Sequence, residues 1–254
     1  MNAAILLNEE PMDHSQDLNN LDAVVAAPNL DSLYRHPSLE ALRQGELAKY
    51  DQEYFKEHYW REDLPGCTGN HGLSYDDPDH SLRFSFLFES LISNQKANRV
   101  LDVGCGPGLF LSQASKHGID AWGVDCSPVA RSLYYERENV NLWDRFLVAS
   151  ATNLPFPSSS FDLCLCLDVL EHLPVLDGLH AIYEMCRVCS DHLICSINVD
   201  NPYAYHPTIL SREQWISLFE ATDLVDYDLA GSKALNGQIK ARYSEYDLFC
   251  FKRK

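Results

Sequence analysis

Residues 100–110 read VLDVGCGPGLF, an apolar run interrupted by Asp102 that opens into alternating glycines at Gly104, Gly106 and Gly108. A strand that breaks into such a turn, followed at Leu109 by a helical pattern, brings backbone amides close to a ligand and points a helix N-terminus at it. The spacing narrows the choice. A dinucleotide fingerprint G-x-G-x-x-G would need glycine at 109, where Leu109 stands, and no Lys-Ser/Thr pair ends the turn as a P-loop requires. The pattern is D-x-G-x-G-x-G, a close-packed turn suited to a small zwitterionic ligand. The Asp102 carboxylate is expected to face a ligand ammonium directly or through water.

Working outward, the next strand ends in WGVDCSP, which puts Asp125 about 20 residues past the turn, the place of a carboxylate that grips ribose hydroxyls. An acidic group there also repels a ribose phosphate. Strand-like runs follow at Arg99–Val103, Ala121–Val124, Arg145–Ala149, Phe161–Leu167 and His192–Ile197, separated by helical segments. Such alternation predicts an α/β fold with a parallel sheet covered on both faces. A last helix, SREQWISLFEATDL, precedes strands at Val225–Ala230 and Tyr246–Phe251. Only a loop is expected between those two, so they should pair antiparallel at one edge.

The ends of the chain read differently. Residues 1–37 are polar and aperiodic, an expected flexible arm, and helical spacing runs from about Ser38 to Tyr59, with Leu39, Leu42, Leu47, Tyr50, Tyr54 and Phe55 near one face, before a loop, GCTGNHGLSYDDPDH. The net charge of -17 opposes nucleic acid and anionic lipid as partners. Of the nine cysteines, Cys164, Cys166, Cys195 and Cys250 lie inside apolar runs, where a reduced thiol packs as a small hydrophobe. With no basic leader and no transmembrane-length run, a reduced, cytoplasmic protein is expected. The Cys186-Arg-Val-Cys189 pair has no second CxxC or spaced histidine pair to complete a zinc set, and no metal is expected.

VLDVGCGPG, GVDCSP and LPFPSSSFDLCLCLDVLEHLP together resemble the class I S-adenosylmethionine-dependent methyltransferases. The resemblance implies a Rossmann-like seven-stranded sheet, mostly parallel with an antiparallel edge strand, over residues 81–254, with 38–80 as an N-terminal helical cap on the acceptor pocket. It implies S-adenosyl-L-methionine as cofactor, its methionine part held by Asp102, Gly104, Cys105, Gly106 and Gly108, its ribose by Asp125 beside Cys126. The family's adenine-contacting Asp is replaced here in ASATNLPF by Ser150, with the Ala151 backbone or Thr152 as substitutes. Leu167, Asp168 and Val169 would line the floor under the methyl group.

Glu171 and His172 follow that floor. His172 reads as a packed, hydrogen-bonded helix-start histidine or as a general base. YDQEYFKEHYW, HSLRFSF and YHPTILSREQWISLFEATDL resemble, more loosely, bacterial members that modify sugars and natural products. That implies Tyr54, Tyr59, Arg83, Tyr205 and His206 as acceptor-facing residues, with His206 or His172 as a base for a hydroxyl acceptor. Each of them singly also fits core packing or solvent exposure. The expected partner is a small-molecule acceptor, methylated on oxygen or nitrogen by a monomer or homodimer. A nicotinamide oxidoreductase shares the turn and Asp125 but fails the glycine spacing. A cofactor-binding partner module without catalysis fits the replaced Asp at Ser150, and methylation of protein or RNA is a lesser variant.

Overall fold

The computed structural model describes residues 88–92, 97–138, 145–199, 206–240 and 247–254. The arm at 1–37, the cap at 38–80, and Tyr54, Tyr59, Arg83 and Tyr205 lie outside the described residues. Everything described belongs to one compact unit, Gln44–Lys254.

The strands are β1 (Arg99–Val103), β2 (Asp120–Asp125), β3 (Phe146–Val148), β4 (Phe161–Leu167), β5 (Cys189–Ser196), β6 (Val225–Tyr227) and β7 (Leu248–Arg253). Between them run α1 (Leu109–Lys116), α2 (Pro128–Glu138), α3 (Val175–Val188), α4 (Arg212–Glu220) and α5 (Leu229–Lys240), with a 3-10 turn at Leu170–His172. The seven strands are ordered β3-β2-β1-β4-β5-β7-β6. All neighbours pair parallel except β7, which runs antiparallel to both β5 and β6. The order reverses between β1 and β4, and in open α/β sheets ligands bind at such a switch point, beyond the carboxyl ends of the strands.

β1 and β4 are buried on both faces, which is why they read as continuous apolar runs and not as alternating ones. Phe110, Tyr134 and Phe146 share a buried cluster with Val100 of β1 and Leu163 of β4, and Cys164, Cys166, Cys195 and Cys250 are buried free thiols. Trp215 and Phe219 of α4 are buried as well, and a capping box between Ser211 and Gln214 starts that helix. Among the described residues no helix is long and apolar enough to cross a membrane.

The last pair of strands departs from expectation. The predicted Val225–Ala230 strand stops at Tyr227, and the expected loop after it contains the twelve-residue helix α5. Its sequence, LAGSKALNGQIK, carries two glycines and little apolar periodicity, so pattern reading passes over it. Polar side chains hold it instead. Asp228 Oδ1 accepts the Gly231 amide at 2.9 Å, and Ser232 Oγ accepts the Cys250 amide at 2.8 Å. Asn236 accepts the Leu248 amide at 2.9 Å and donates to the Leu248 carbonyl at 2.8 Å.

Candidate cofactor and acceptor site

The glycine turn sits at the carboxyl end of β1 and is tied to β2. The Gly104 and Cys105 amides both donate to the Val124 carbonyl, at 2.7 and 3.1 Å. Gly104 and Gly108 both hold positive φ, 73° and 71°. A Cβ on Gly104 would lie 2.3 Å from Val169 Cγ2, and one on Gly108 would lie 2.5 Å from the Tyr134 ring. Both glycines are therefore demanded twice, by backbone conformation and by space. Gly108 is also the N-cap of α1, whose first turn carries no side-chain cap, leaving its amides for a ligand.

The two predicted carboxylates converge on this turn. Asp125 is buried, its Oδ2 accepting the Gly106 amide at 2.9 Å and its Oδ1 the Ser127 amide at 2.8 Å. A carboxylate offers about four acceptor positions, so capacity remains for ligand hydroxyls. Burial pushes the Asp125 carboxyl up, against the pull of those amides. Asp102 is 4% exposed, and burial together with the Asp125 charge pushes its carboxyl up to about 7. Cys105 and Cys126 flank these acids. Burial raises both thiols, Cys126 to about 12, so neither is a thiolate near neutral pH.

The third segment lies beyond β3. Ser150 Oγ accepts the Thr152 amide at 3.2 Å and sits 2.8 Å from Thr152 Oγ1, so this serine closes the turn that carries Ala151. What anchors the segment was not visible in the sequence. Arg187 of α3 donates to the Phe156 and Leu154 carbonyls at 2.8 and 3.1 Å, while Glu184 Oε2 accepts the Leu154 amide at 2.8 Å. The two side chains bond each other at 2.6 Å.

Past β4 the chain turns sharply at Asp168, whose φ of 55° is in the left-handed region that few residues other than glycine adopt. Ser196 of β5 holds it there. Ser196 Oγ donates to Asp168 Oδ1 at 2.5 Å, and the Asp168 amide donates back to the Ser196 carbonyl at 3.1 Å. Half-buried Leu167 precedes this turn, and Val169 follows it, packed over Gly104.

The next turn gathers a polar cluster. Glu171 is 1% exposed, with Oε1 accepting the Asn198 amide at 2.9 Å and Oε2 buried without a hydrogen bond among the described residues. Burial, then the Asp168 charge, pushes its carboxyl up to about 8. His172 and His206 meet edge-on, with ring centroids 4.6 Å apart and planes at 88°. Thr208 brings them together by donating its hydroxyl to the Leu173 carbonyl at 2.6 Å and its amide to the Glu171 carbonyl at 3.3 Å.

The methyltransferase domain family matches residues 101–194, which contain the glycine turn, Asp125 and the turn past β4. The chain is 28% identical over 179 residues to a ubiquinone biosynthesis O-methyltransferase of Alkalilimnicola ehrlichii, covering 68% of this chain and 67% of that one. It is 33% identical over 139 residues to the norajmaline N-methyltransferase of Rauvolfia serpentina, covering 50% and 44%. The chain thus spans between two fifths and two thirds of these two curated relatives. A magnesium protoporphyrin IX methyltransferase of Synechocystis with bound S-adenosylmethionine superposes with a TM-score of 0.52 at 13% identity, over 98% of this chain and 100% of that one. Residues 101–194 thus carry a methyltransferase domain, within a seven-stranded sheet whose order fits a Rossmann-like methyltransferase fold. The donor set around the glycine turn suits S-adenosylmethionine. Two buried carboxylates beside the turn could accept from an ammonium and from hydroxyls, and Val169 and Tyr134 leave no room for a Cβ on Gly104 or Gly108.

Proposed function

We propose that the protein methylates a hydroxyl oxygen of a small-molecule acceptor, natural-product or sugar-like in kind. What supports this most is the packing of Val169 over Gly104, which seats the Asp168–His172 turn, with its histidine pair, directly beside the cofactor turn. In this reading Asp102 holds the cofactor ammonium, Gly104, Cys105, Gly106 and Gly108 its amino-acid part, Asp125 and Cys126 the ribose side. Ser150, Ala151 and Thr152 flank the adenine, and Leu167 and Asp168 form the floor. When bound, the cofactor supplies a methyl group on a cationic sulfur. The chain's own work is to align the acceptor, exclude water and take the hydroxyl proton at His172 or His206. Alignment of this kind lowers a barrier by up to about 7–11 kcal/mol. An amine acceptor is the second reading, favoured by the net charge of -17, which attracts a cation.

The test is methyl-labelled cofactor offered with a panel of small hydroxyl and amine compounds, with products identified by mass spectrometry. Label on a small hydroxyl compound is the expected result. Label confined to macromolecules, or tight S-adenosylhomocysteine binding without turnover of any acceptor, would overturn the reading.

Asp102 gives this assignment a pH signature. A ligand ammonium favours the ionised carboxylate, yet in the free protein that carboxyl keeps its proton up to about pH 7. Binding below that pH must expel the proton, so the Kd for S-adenosylhomocysteine should weaken about tenfold per pH unit on going down from 7, and level off above it. Calorimetry from pH 5.5 to 8 reads the slope, and Asp102→Asn should flatten it. A slope unchanged in that variant would show that Asp102 does not meet the ligand's charge.

A further inference from the structure

Glu171, His172 and His206 each offer one ligating atom, and these atoms all lie within 4.8 Å of one another. Bonds of about 2.1 Å to one tetrahedral ion set its donors about 3.4 Å apart, a gap that side-chain rotation closes. A separate observation points the same way. The Glu171 carboxylate is fixed through Oε1 by the Asn198 amide, and its buried Oε2 meets no hydrogen-bond donor among the described residues. A buried oxygen in that state carries a desolvation cost that a cation removes.

We infer that Glu171, His172 and His206 form a binding site for a divalent transition-metal cation. Two imidazoles and a carboxylate suit zinc, cobalt or nickel, and three protein ligands leave a coordination position open, as catalytic sites do. The role of the ion rests on the hydroxyl-acceptor reading above. The acceptor oxygen takes the open position, and its bound hydroxyl loses its proton to water. An oxygen electron pair then forms the bond to the methyl carbon, and the carbon–sulfur bond breaks with its electrons left on sulfur. With the ion bound, His172 and His206 act as ligands in place of the base role given to them above, and the proton goes to water. Spacing in the sequence hides such a site, because His206 is brought to the 3-10 turn by Thr208 and not by proximity along the chain.

The test begins with the full-length protein stripped of metal and titrated with cobalt(II), followed by visible absorption. One ion per chain is expected, with nitrogen–oxygen ligation and no thiolate charge-transfer band. His172→Ala and His206→Ala should each weaken cobalt binding by more than about 100-fold, beyond the 10–100-fold that losing an outer-shell partner costs. His192→Ala, on β5 with Nδ1 3.0 Å from Asp191, should bind cobalt as the parent does. Calorimetry with S-adenosylhomocysteine on the same samples separates loss of the site from loss of the fold. No saturable cobalt binding, thiolate ligation, or parent-like affinity in either histidine variant would overturn the site. Methyl transfer abolished by a chelator and restored by zinc supports the role of the ion, and transfer indifferent to the chelator overturns that role. An intact cobalt site with no transfer to any hydroxyl compound counts against the acceptor reading alone.

Discussion

Asp125→Ala should bind S-adenosylhomocysteine at least about 100-fold more weakly than the parent and should unfold at lower denaturant. Hydrogen bonds to a charged acceptor contribute about 1.5–3 kcal/mol each, so losing two ribose contacts reaches that factor, which corresponds to about 2.7 kcal/mol. The stability loss has a separate source. The variant leaves the Gly106 and Ser127 amides, now bonded at 2.9 and 2.8 Å, without their buried acceptor. Each such orphan costs about 1–3 kcal/mol. Asp125→Asn keeps one acceptor oxygen but turns an N–H toward one of the two amides, so it should fall between parent and alanine in both measurements. Calorimetry and urea unfolding on the same preparations read the two effects. A folded Asp125→Ala protein with unchanged ligand affinity would remove Asp125 from the cofactor site.

Gly104→Ala should destabilise the fold and weaken ligand binding together. A non-glycine residue at φ 73° costs about 1–2 kcal/mol. The new methyl would also sit 2.3 Å from Val169 Cγ2, overpacking that adds about 1–3 kcal/mol. Unfolding should therefore shift by roughly 2–5 kcal/mol, with ligand affinity falling because the turn must move. Adding Val169→Ala separates the causes. The double variant should recover the steric part and keep the conformational part. Complete recovery would mean that the left-handed backbone costs nothing there, and no recovery would mean that Val169 is not the obstacle. Gly108→Ala meets a harder wall, since the Tyr134 ring is fully buried and packs against Phe146 with centroids 5.6 Å apart.

The parts of the site legible in the sequence are those set by local rules. A strand followed by alternating glycines places Asp102 and the turn, and strand length places Asp125, because backbone period and turn geometry depend on near neighbours. The unread parts depend on contacts between distant segments. Nothing near Asp168 announces that Ser196 will hold it at φ 55°, and nothing near Ser150 announces the Arg187–Glu184 pair that anchors the following loop. Glu184 and Arg187 stand on α3 as an ordinary i,i+3 pair, a spacing common on solvated helix faces. The expectation of no metal weighed ligand spacing along the chain, whereas the Glu171–His172–His206 cluster on which the metal proposal rests is made by the fold. Helix α5 was missed because polar contacts to β7 dock it, and hydrophobic periodicity does not report those.

Those contacts bear on how the chain chooses among alternative alignments of its final strand. A strand with one buried face finds its register by hydrophobicity, since a one-residue slip turns its apolar side chains outward. β7 has no such guide over its first four residues, because Leu248, Phe249, Cys250 and Phe251 are all fully buried. Slipping by one would exchange one set of apolar side chains for another. Asn236 distinguishes the alternatives, since its amide bonds both the N–H and the carbonyl of Leu248, and Ser232 does the same at the Cys250 N–H. An offset strand would present those two side chains with backbone groups pointing the wrong way. Helix α5 thus serves as a template against which the closing strand is aligned.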